Sequence, residues 1–165
     1  MGLALVVVPI LLAVAAGQAG WLQGQVPDDL GVQQGRLKPP SGTRNSVSSQ
    51  ADLYPEHPQQ AYAAIEAWPW LEDDRGRAMD RVAKVLATEP GVRVLQRQDD
   101  YMRAEAQTRW LGFVDDIEFW ADPHARVIHV RSASRIGRED FGTNRQRVLA
   151  LRARYLSATE TTTGH

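Results

Sequence analysis

The segment FVDDIEFWADPHARVIHVRS at residues 113–132 determines the fold, because it holds two runs with the alternation of β-strands. The runs cover residues 113–120 and 126–132, and Asp122-Pro123 marks the turn between them. Alternation divides the first run into a largely apolar face and a largely polar face, Phe113, Asp115, Ile117 and Phe119 against Val114, Asp116, Glu118 and Trp120. Asp115 is the exception, since its carboxylate is directed toward the apolar face.

The hydrophobic pattern also predicts a register for this hairpin. Matching the apolar faces across a four-residue turn predicts four cross-strand pairs, Ile117 with Val130, Phe119 with Ile128, Asp116 with Arg131 and Glu118 with His129. An exposed ion pair of this kind contributes about 0.2–1 kcal/mol. A salt-bridged sheet face is therefore the structural explanation of the polar residues.

The segments around the hairpin complete a four-stranded sheet with two helices. Residues 92–97 and 101–108 are strand-like and are separated by a turn at residues 98–100. Apolar residues at helical spacing follow Asp74 and end before Pro90, Ala78, Met79, Val82, Val85 and Leu86. A second helix begins with a capping-box spacing at residues 143–146 and carries Val148, Leu151 and Tyr155 on one stripe.

This order predicts an α+β domain at residues 61–156, with a four-stranded antiparallel sheet and both helices packed on one face. The element order is α-β-β-β-β-α, and the opposite sheet face should be polar. Residues 23–60 are rich in Gly, Pro, Gln and Ser and predict a linker and an irregular arm. The polar residues 157–165 predict a disordered tail.

Residues 1–22 form a hydrophobic leader, with no charged residue before Asp28. The 20 residues from Leu3 to Leu22 match the length of a transmembrane helix, and Trp21 stands where an interfacial aromatic would. Small-residue triplets at 13–15 and 17–19 equally resemble signal-peptidase sites. We therefore expect a protein of the bacterial cell envelope, periplasmic or extracytoplasmic, that is either membrane-anchored or secreted.

Composition excludes several classes of chemistry. The chain has no cysteine, which removes disulfides, thiolate catalysis and cysteine-ligated metals. Its 4 histidines are too scattered for a metal motif, so we expect no metal and no cofactor. With 19 basic and 20 acidic residues the chain lacks the basic patch of a nucleic-acid-binding protein, so no nucleic-acid partner is expected.

The chain resembles the domain-of-unknown-function family numbered 1499, over about residues 36–156. The resemblance is carried by residues 113–119, 130–137 and 140–147, and by NSVSSQ at 45–50, where Ser46 stands in place of a common cysteine. Because the family has no established activity, the resemblance implies domain identity and not mechanism. Its similarity to exported or membrane-associated bacterial proteins agrees with the leader.

Two constellations could carry function. The acidic cluster of Asp115, Asp116 and Glu118, with His129 beside it, has the residue types of acid-base catalysis or cation binding. The second is a glycine-flanked loop that leads from a strand end to a helix N-terminus, a geometry that binds anions. Its polar residues are Arg131, Ser132, Ser134, Arg135, Asp140, Asn144 and Arg145, and Asp140 is placed to satisfy the helix N-terminus itself.

Two functions remain open on this reading, besides a purely structural part of a larger complex. The favoured one is a non-enzymatic module that binds a small anion or an envelope protein through Asp116, Glu118, His129, Arg131, Arg135, Asp140, Asn144 and Arg145. The alternative is a hydrolase or metal-assisted enzyme that uses the acidic cluster. Serine catalysis at Ser132 or Ser134 finds no support, since neither lies in a nucleophile-elbow pattern or near a histidine in sequence.

Overall fold

An antiparallel sheet of six strands forms the centre of the protein, whose computed structural model describes residues 2–157 apart from the side chains of residues 2–6 and 10. The strands are β1 (Ser46–Ser48), β2 (Trp68–Pro69), β3 (Val92–Arg97), β4 (Tyr101–Gln107), β5 (Val114–Asp122) and β6 (Val127–Ser134). Their order is β1-β6-β5-β4-β3, and β2 pairs with the same edge of β6 as β1. The prediction of four strands is wrong in number, because β1 and β2 are too short to show an alternating pattern.

The helices are α1 (Gly2–Gln18), α2 (Gln60–Ala63), α3 (Arg75–Ala87) and α4 (Thr143–Ser157), and a 3₁₀ turn covers Ala51–Leu53. α3 and α4 pack on one face of the sheet, as predicted. The side chain of Asp74 accepts a hydrogen bond from the Arg77 N–H and so caps α3, and all five predicted apolar positions of this helix are buried. Most of the predicted tail lies outside the described residues, since only Ser157, the end of α4, is described.

The β5–β6 hairpin confirms the predicted faces but not the predicted register. Glu118 lies opposite Arg131, Phe119 opposite Val130 and Trp120 opposite His129. The turn occupies residues 123–126. There the Asp122 carboxylate accepts hydrogen bonds from the N–H groups of His124 and Ala125, at 2.7 and 3.2 Å. A turn moved by one residue shifts every pair by two positions, so each side chain keeps its face and changes its partner.

The hydrophobic core lies between the sheet and the helices. The rings of Trp68 and Tyr155 lie 5.1 Å apart, and the ring of Phe119 is 5.1 Å from that of Trp68. Asp115 also points to this side, as alternation predicts, and Arg147 of α4 binds its carboxylate at 2.6 Å. An arginine from the covering helix thus explains the one charged residue on the apolar face.

The opposite face of the sheet is polar, but it is buried. Every residue of β5 from Val114 to Ala121 is buried, because the predicted arm folds over the sheet as a third layer. Leu37 of the arm packs against Tyr101 and Trp120. The Gln50 side chain fixes the arm internally by accepting from the Leu37 N–H at 2.8 Å and donating to the Gly35 carbonyl at 3.1 Å.

The first helix contacts the rest of the protein near its C-terminal end. There the side-chain amide of Gln18 donates to the carbonyls of Arg109 and Trp110 at 3.0 and 3.1 Å. The helix ends at Gln18, four residues short of the predicted span to Leu22. None of the helices within residues 2–157 has the length and apolarity required to cross a bilayer.

Candidate functional site

The eight predicted site residues do not form one site. Four of them lie on the buried face beneath the arm, which we call the arm-side network, Asp116, Glu118, Arg131 and Arg135. Three lie where the loop of residues 135–142 meets α4, which we call the loop cluster, Asp140, Asn144 and Arg145. His129 stands apart, near the turn at the other end of the hairpin.

Glu118 and Arg131 form a buried ion pair at the centre of the arm-side network. Their nearest charged atoms are 3.4 Å apart, and the side chains are 0% and 3% exposed. Glu118 also accepts hydrogen bonds from the Tyr101 hydroxyl at 2.9 Å and from the Gly31 N–H at 2.7 Å, while Arg131 donates to the Pro39 carbonyl. Burial lowers the pKa of Arg131, and burial beside Glu118 raises that of Tyr101. The pair therefore ties two points of the arm to the sheet.

Asp116 and Arg135 form a second buried pair beside the first. The guanidinium donates two parallel hydrogen bonds to the carboxylate, at 2.8 and 2.7 Å, and also binds Glu105. Arg103 approaches Asp116 from β4 at 3.6 Å. The hydrogen bond to Asp116 raises the pKa of Arg135, so its charge is fixed. Arg131 and Arg135, the two predicted cations of this face, thus both bind carboxylates of the protein itself.

Asp140 occupies the N-terminus of α4, for which the sequence left both an external anion and Asp140 itself as candidates. Its two carboxylate oxygens accept from the N–H groups of Gly142 and Asn144, each at 3.0 Å, and from the Asn144 side chain at 2.8 Å. The Tyr62 hydroxyl donates a further bond at 2.6 Å. Burial acts to raise the pKa of Asp140, but these hydrogen bonds outweigh it and lower the pKa below its ordinary 3.8. The carboxylate of Asp140, and not Thr143 of the expected capping box, caps α4.

Arg145 is also engaged within the protein. Its guanidinium donates to the carbonyls of Ala64, at 3.0 Å, and of Tyr62, and so holds α2 against α4. Burial, then the hydrogen bond to Asp140, raises the pKa of Tyr62 to about 12. The loop cluster is therefore a clamp that joins the arm, α2 and α4.

The structure brings together a serine, a histidine and an aspartate that no sequence motif combines. The Ser49 hydroxyl lies 3.2 Å from Nδ1 of His129, and Nε2 of the same ring lies 3.6 Å from the Asp122 carboxylate. Burial lowers the pKa of His129, which keeps the ring neutral at pH 7 and able to accept from Ser49. Ser49 comes from the arm and Asp122 from the hairpin turn. In the true register Trp120 lies opposite His129, and Asp122 follows two residues later. That register would have indicated the contact between His129 and Asp122, but not the contact with Ser49.

The predicted acidic cluster is dispersed. Asp115 points to the helix side, whereas Asp116 and Glu118 point to the arm side, and each of the three carboxylates faces an arginine. Within residues 2–157, no group of three or more His, Asp or Glu side chains is arranged to hold a metal ion. The carboxylates thus act as buried counter-ions in this structure.

A cavity of about 300 Å³ lies between the 135–142 loop and the segment that joins β4 to β5. Its wall includes Thr108, Phe113, Ile136, Glu139, Asp140 and Phe141. Phe141 is 87% exposed and has a left-handed backbone (φ 52°) that bulky residues rarely adopt. Asp140 and Gly142 on either side fix this conformation. Backbone strain is typical of functional sites, so Phe141 is a candidate for binding.

The comparisons with known proteins place the chain in a family. No curated protein and no solved structure matches it significantly. A family model described as "Protein of unknown function (DUF1499)" matches residues 36–155, which include the arm from residue 36 on, the sheet, α3 and nearly all of α4. Since the match covers well over half of the 165 residues, the chain belongs to the DUF1499 family.

Proposed function

We propose that this chain is a membrane-anchored binding module of the bacterial cell envelope that holds a protein partner at the cavity beside Phe141. The observation that carries the proposal is Phe141 itself, a large apolar side chain held in solvent at the mouth of a cavity. Such a residue serves a binding partner better than it serves the isolated domain. The apolar leader supports the envelope location.

The same geometry favours a protein partner over a small anion. The cations near the cavity are engaged, Arg135 with two carboxylates and Arg147 with Asp115. Asp140 already occupies the N–H groups at the start of α4. Glu139 pairs with the exposed Arg44 at 3.4 Å, so the wall offers both signs of charge beside its apolar residues. The complementary ligand is an apolar side chain flanked by polar groups, as a peptide segment would supply.

Replacement of Phe141 tests this proposal. We expect benzoylphenylalanine at position 141 of the full chain to crosslink one defined envelope protein of the native host. For that protein, Phe141→Ala should weaken the measured Kd about 10–30-fold, the effect of losing an interface hot spot. Alanine has the same backbone preference as phenylalanine here, so the loop keeps its strain.

Leu149 provides the matched control. It is half exposed on α4, away from the cavity wall. Benzoylphenylalanine at position 149 should give no such adduct, and Leu149→Ala should leave the Kd within about twofold, as expected for a residue outside the interface. The proposal fails if both positions crosslink the same proteins, or if Phe141→Ala leaves the Kd unchanged.

A hydrolase is the second candidate, and the Ser49–His129–Asp122 chain favours it. The acidic cluster that first suggested an enzyme gives little support, since arginines neutralise its three members. In the serine group, Oγ of Ser49 would attack the carbonyl carbon or phosphorus atom of an ester while Nδ1 of His129 accepts the hydroxyl proton. The bond to the leaving alcohol would then break, and the proton would pass from His129 to that alcohol. Against it, Oγ of Ser49 also accepts a hydrogen bond from the Val130 N–H, which suits a structural serine.

Labelling with a fluorophosphonate separates the two candidates. An active Ser49 would form a bond from Oγ to phosphorus with loss of fluoride, and mass spectrometry would place the adduct on Ser49. Ser49→Ala and His129→Ala should then abolish the label, while Ser132→Ala, at a serine bonded to Asn144, should keep it. If wild-type protein stays unlabelled or Ser49→Ala still reacts, the hydrolase candidate is eliminated and the binding module stands alone.

A further inference from the structure

Exposed aromatic and apolar side chains gather at one end of the sheet. β4 ends there, β5 begins there, and the 135–142 loop leads from the end of β6 to the start of α4. α1 meets the domain at the same end, because Gly17 touches the backbone of Leu111 and Gly112. The large exposed aromatic side chains beside this contact are Trp21 and Trp110.

A tight backbone contact fixes the direction in which α1 leaves the domain. A Cβ atom on Gly17 would overlap the Leu111 carbonyl, and one on Gly112 would lie 2.5 Å from the Gly17 carbonyl oxygen. Gly112 is also left-handed (φ 66°), which favours glycine. Together with the two hydrogen bonds from Gln18, this backbone contact places Trp110 beside the end of the helix.

We propose that a lipid bilayer meets this end of the domain at Trp21 and Trp110, with α1 inserted in the acyl region without crossing it and the two rings at the level of the headgroups. The proposal rests on the membrane anchoring in the proposed function and adds the orientation of the domain. Trp21 and Trp110 are 80% and 64% exposed, and the Arg109 guanidinium lies 5.0 Å from the centre of the Trp110 ring. An aromatic ring with a cation above it suits the boundary between acyl chains and phosphates.

The apolar surface of α1 indicates that lipid, and not protein, surrounds this helix. A helix that docks in a protein groove needs one apolar stripe, whereas a helix apolar on every side is surrounded by apolar material. No charged residue precedes Asp28, and the described side chains of Val7, Val8, Leu11 and Leu12 are all exposed. Residues 7–9 and 11–13 are all exposed and, at 100° per residue, extend around about two thirds of the helix, more than a single protein groove covers.

Quenching of tryptophan fluorescence by brominated lipids tests the orientation. The full chain is reconstituted into vesicles of equal parts phosphatidylcholine and phosphatidylglycerol, with and without brominated acyl chains. We expect bromine to quench the wild-type protein, Trp110→Phe to remove about half of that quenching, and Trp110→Phe with Trp21→Phe to remove nearly all of it. Trp120→Phe is the control, because Trp120 is buried beneath the arm at the opposite end of the sheet.

A second variant tests the contact between Gly112 and Gly17 separately from the insertion of α1. Gly112→Ala places a methyl group against the Gly17 carbonyl, so Trp110 should lose its bromine quenching while Trp21 keeps it. The orientation is overturned if Trp110→Phe leaves the quenching unchanged or if Trp120→Phe lowers it as much. Since the vesicles contain no protein partner, this result does not depend on whether Phe141 binds one.

Discussion

Arg131→Ala is expected to lower the free energy of unfolding by about 3–5 kcal/mol, the cost of leaving a buried charge without its partner. Glu118 would remain fully buried opposite the gap, with only the Tyr101 hydroxyl and the Gly31 N–H to stabilise its charge. The bond from Arg131 to the Pro39 carbonyl would also be lost. For a chain of this size the change corresponds to a fall of about 6–20 °C in Tm.

Denaturant unfolding of the full chain would measure this loss. The control is Arg77→Ala, because Arg77 pairs with Asp73 at the surface, where both side chains are largely exposed. That pair should contribute at most about 1 kcal/mol. A loss below about 1 kcal/mol for Arg131→Ala would contradict the buried pair.

A double replacement distinguishes the charge from the packing. Glu118→Leu with Arg131→Met fills the same space without a buried charge, and it should recover much of the stability lost in Arg131→Ala. Recovery would show that the two residues need each other and that the arm rests on apolar contacts of Leu37, Tyr101 and Trp120 as well. It would also mean that loss of binding in Arg131→Ala reports on folding before it reports on a ligand.

The elements that were predicted well are those with a strong local pattern. α3 has five apolar residues at helical spacing after a capping aspartate, and all five are buried. The strands β3 to β6 agree with the prediction to within two residues at each end. The hairpin register was wrong because apolar matching leaves it open by two positions, and the Asp122 side chain decides between them.

The position of the arm on the sheet was not predicted, for a different reason. Its contacts are made by backbone groups and single side chains, such as the Gly31 N–H on Glu118 and the Gln50 amide on Gly35. Such contacts leave no periodic signal in the sequence. The arm therefore read as a linker, and the sheet face beneath it read as available for a ligand.

The candidate site shows the same limit. Composition and spacing singled out polar residues that the structure buries, Asp116, Glu118, Arg131 and Asn144. Their partners could not be assigned, because each lies on another element. Ser49 and Phe141 were missed altogether, since a serine in an arm and a phenylalanine in a loop have no distinctive spacing. Phe141 is notable because its side chain is exposed, and exposure is known only from the folded structure.

Asn144→Ala is expected to have an effect as large as Arg131→Ala, about 3–5 kcal/mol, because the cost of each orphaned buried group is about 1–3 kcal/mol. Asn144 is fully buried, and its carboxamide connects the arm, β6 and α4. The amide group donates to the Asn45 carbonyl, the Ser134 hydroxyl and the Asp140 carboxylate, while the oxygen accepts from Ser132 and Arg147.

Gln146→Ala on the same helix is the matched control for Asn144→Ala. The Gln146 side chain is exposed, so its replacement should change the unfolding free energy by no more than about 0.5 kcal/mol. Equal losses in the two variants would contradict the role of the Asn144 hydrogen bonds, since a general effect on α4 would then explain both losses. A large loss for Asn144→Ala alone would establish that the loop cluster is held from within. The loop that carries Phe141 would then be rigid before any partner binds, and preorganisation of this kind lets a single exposed side chain contribute strongly to affinity.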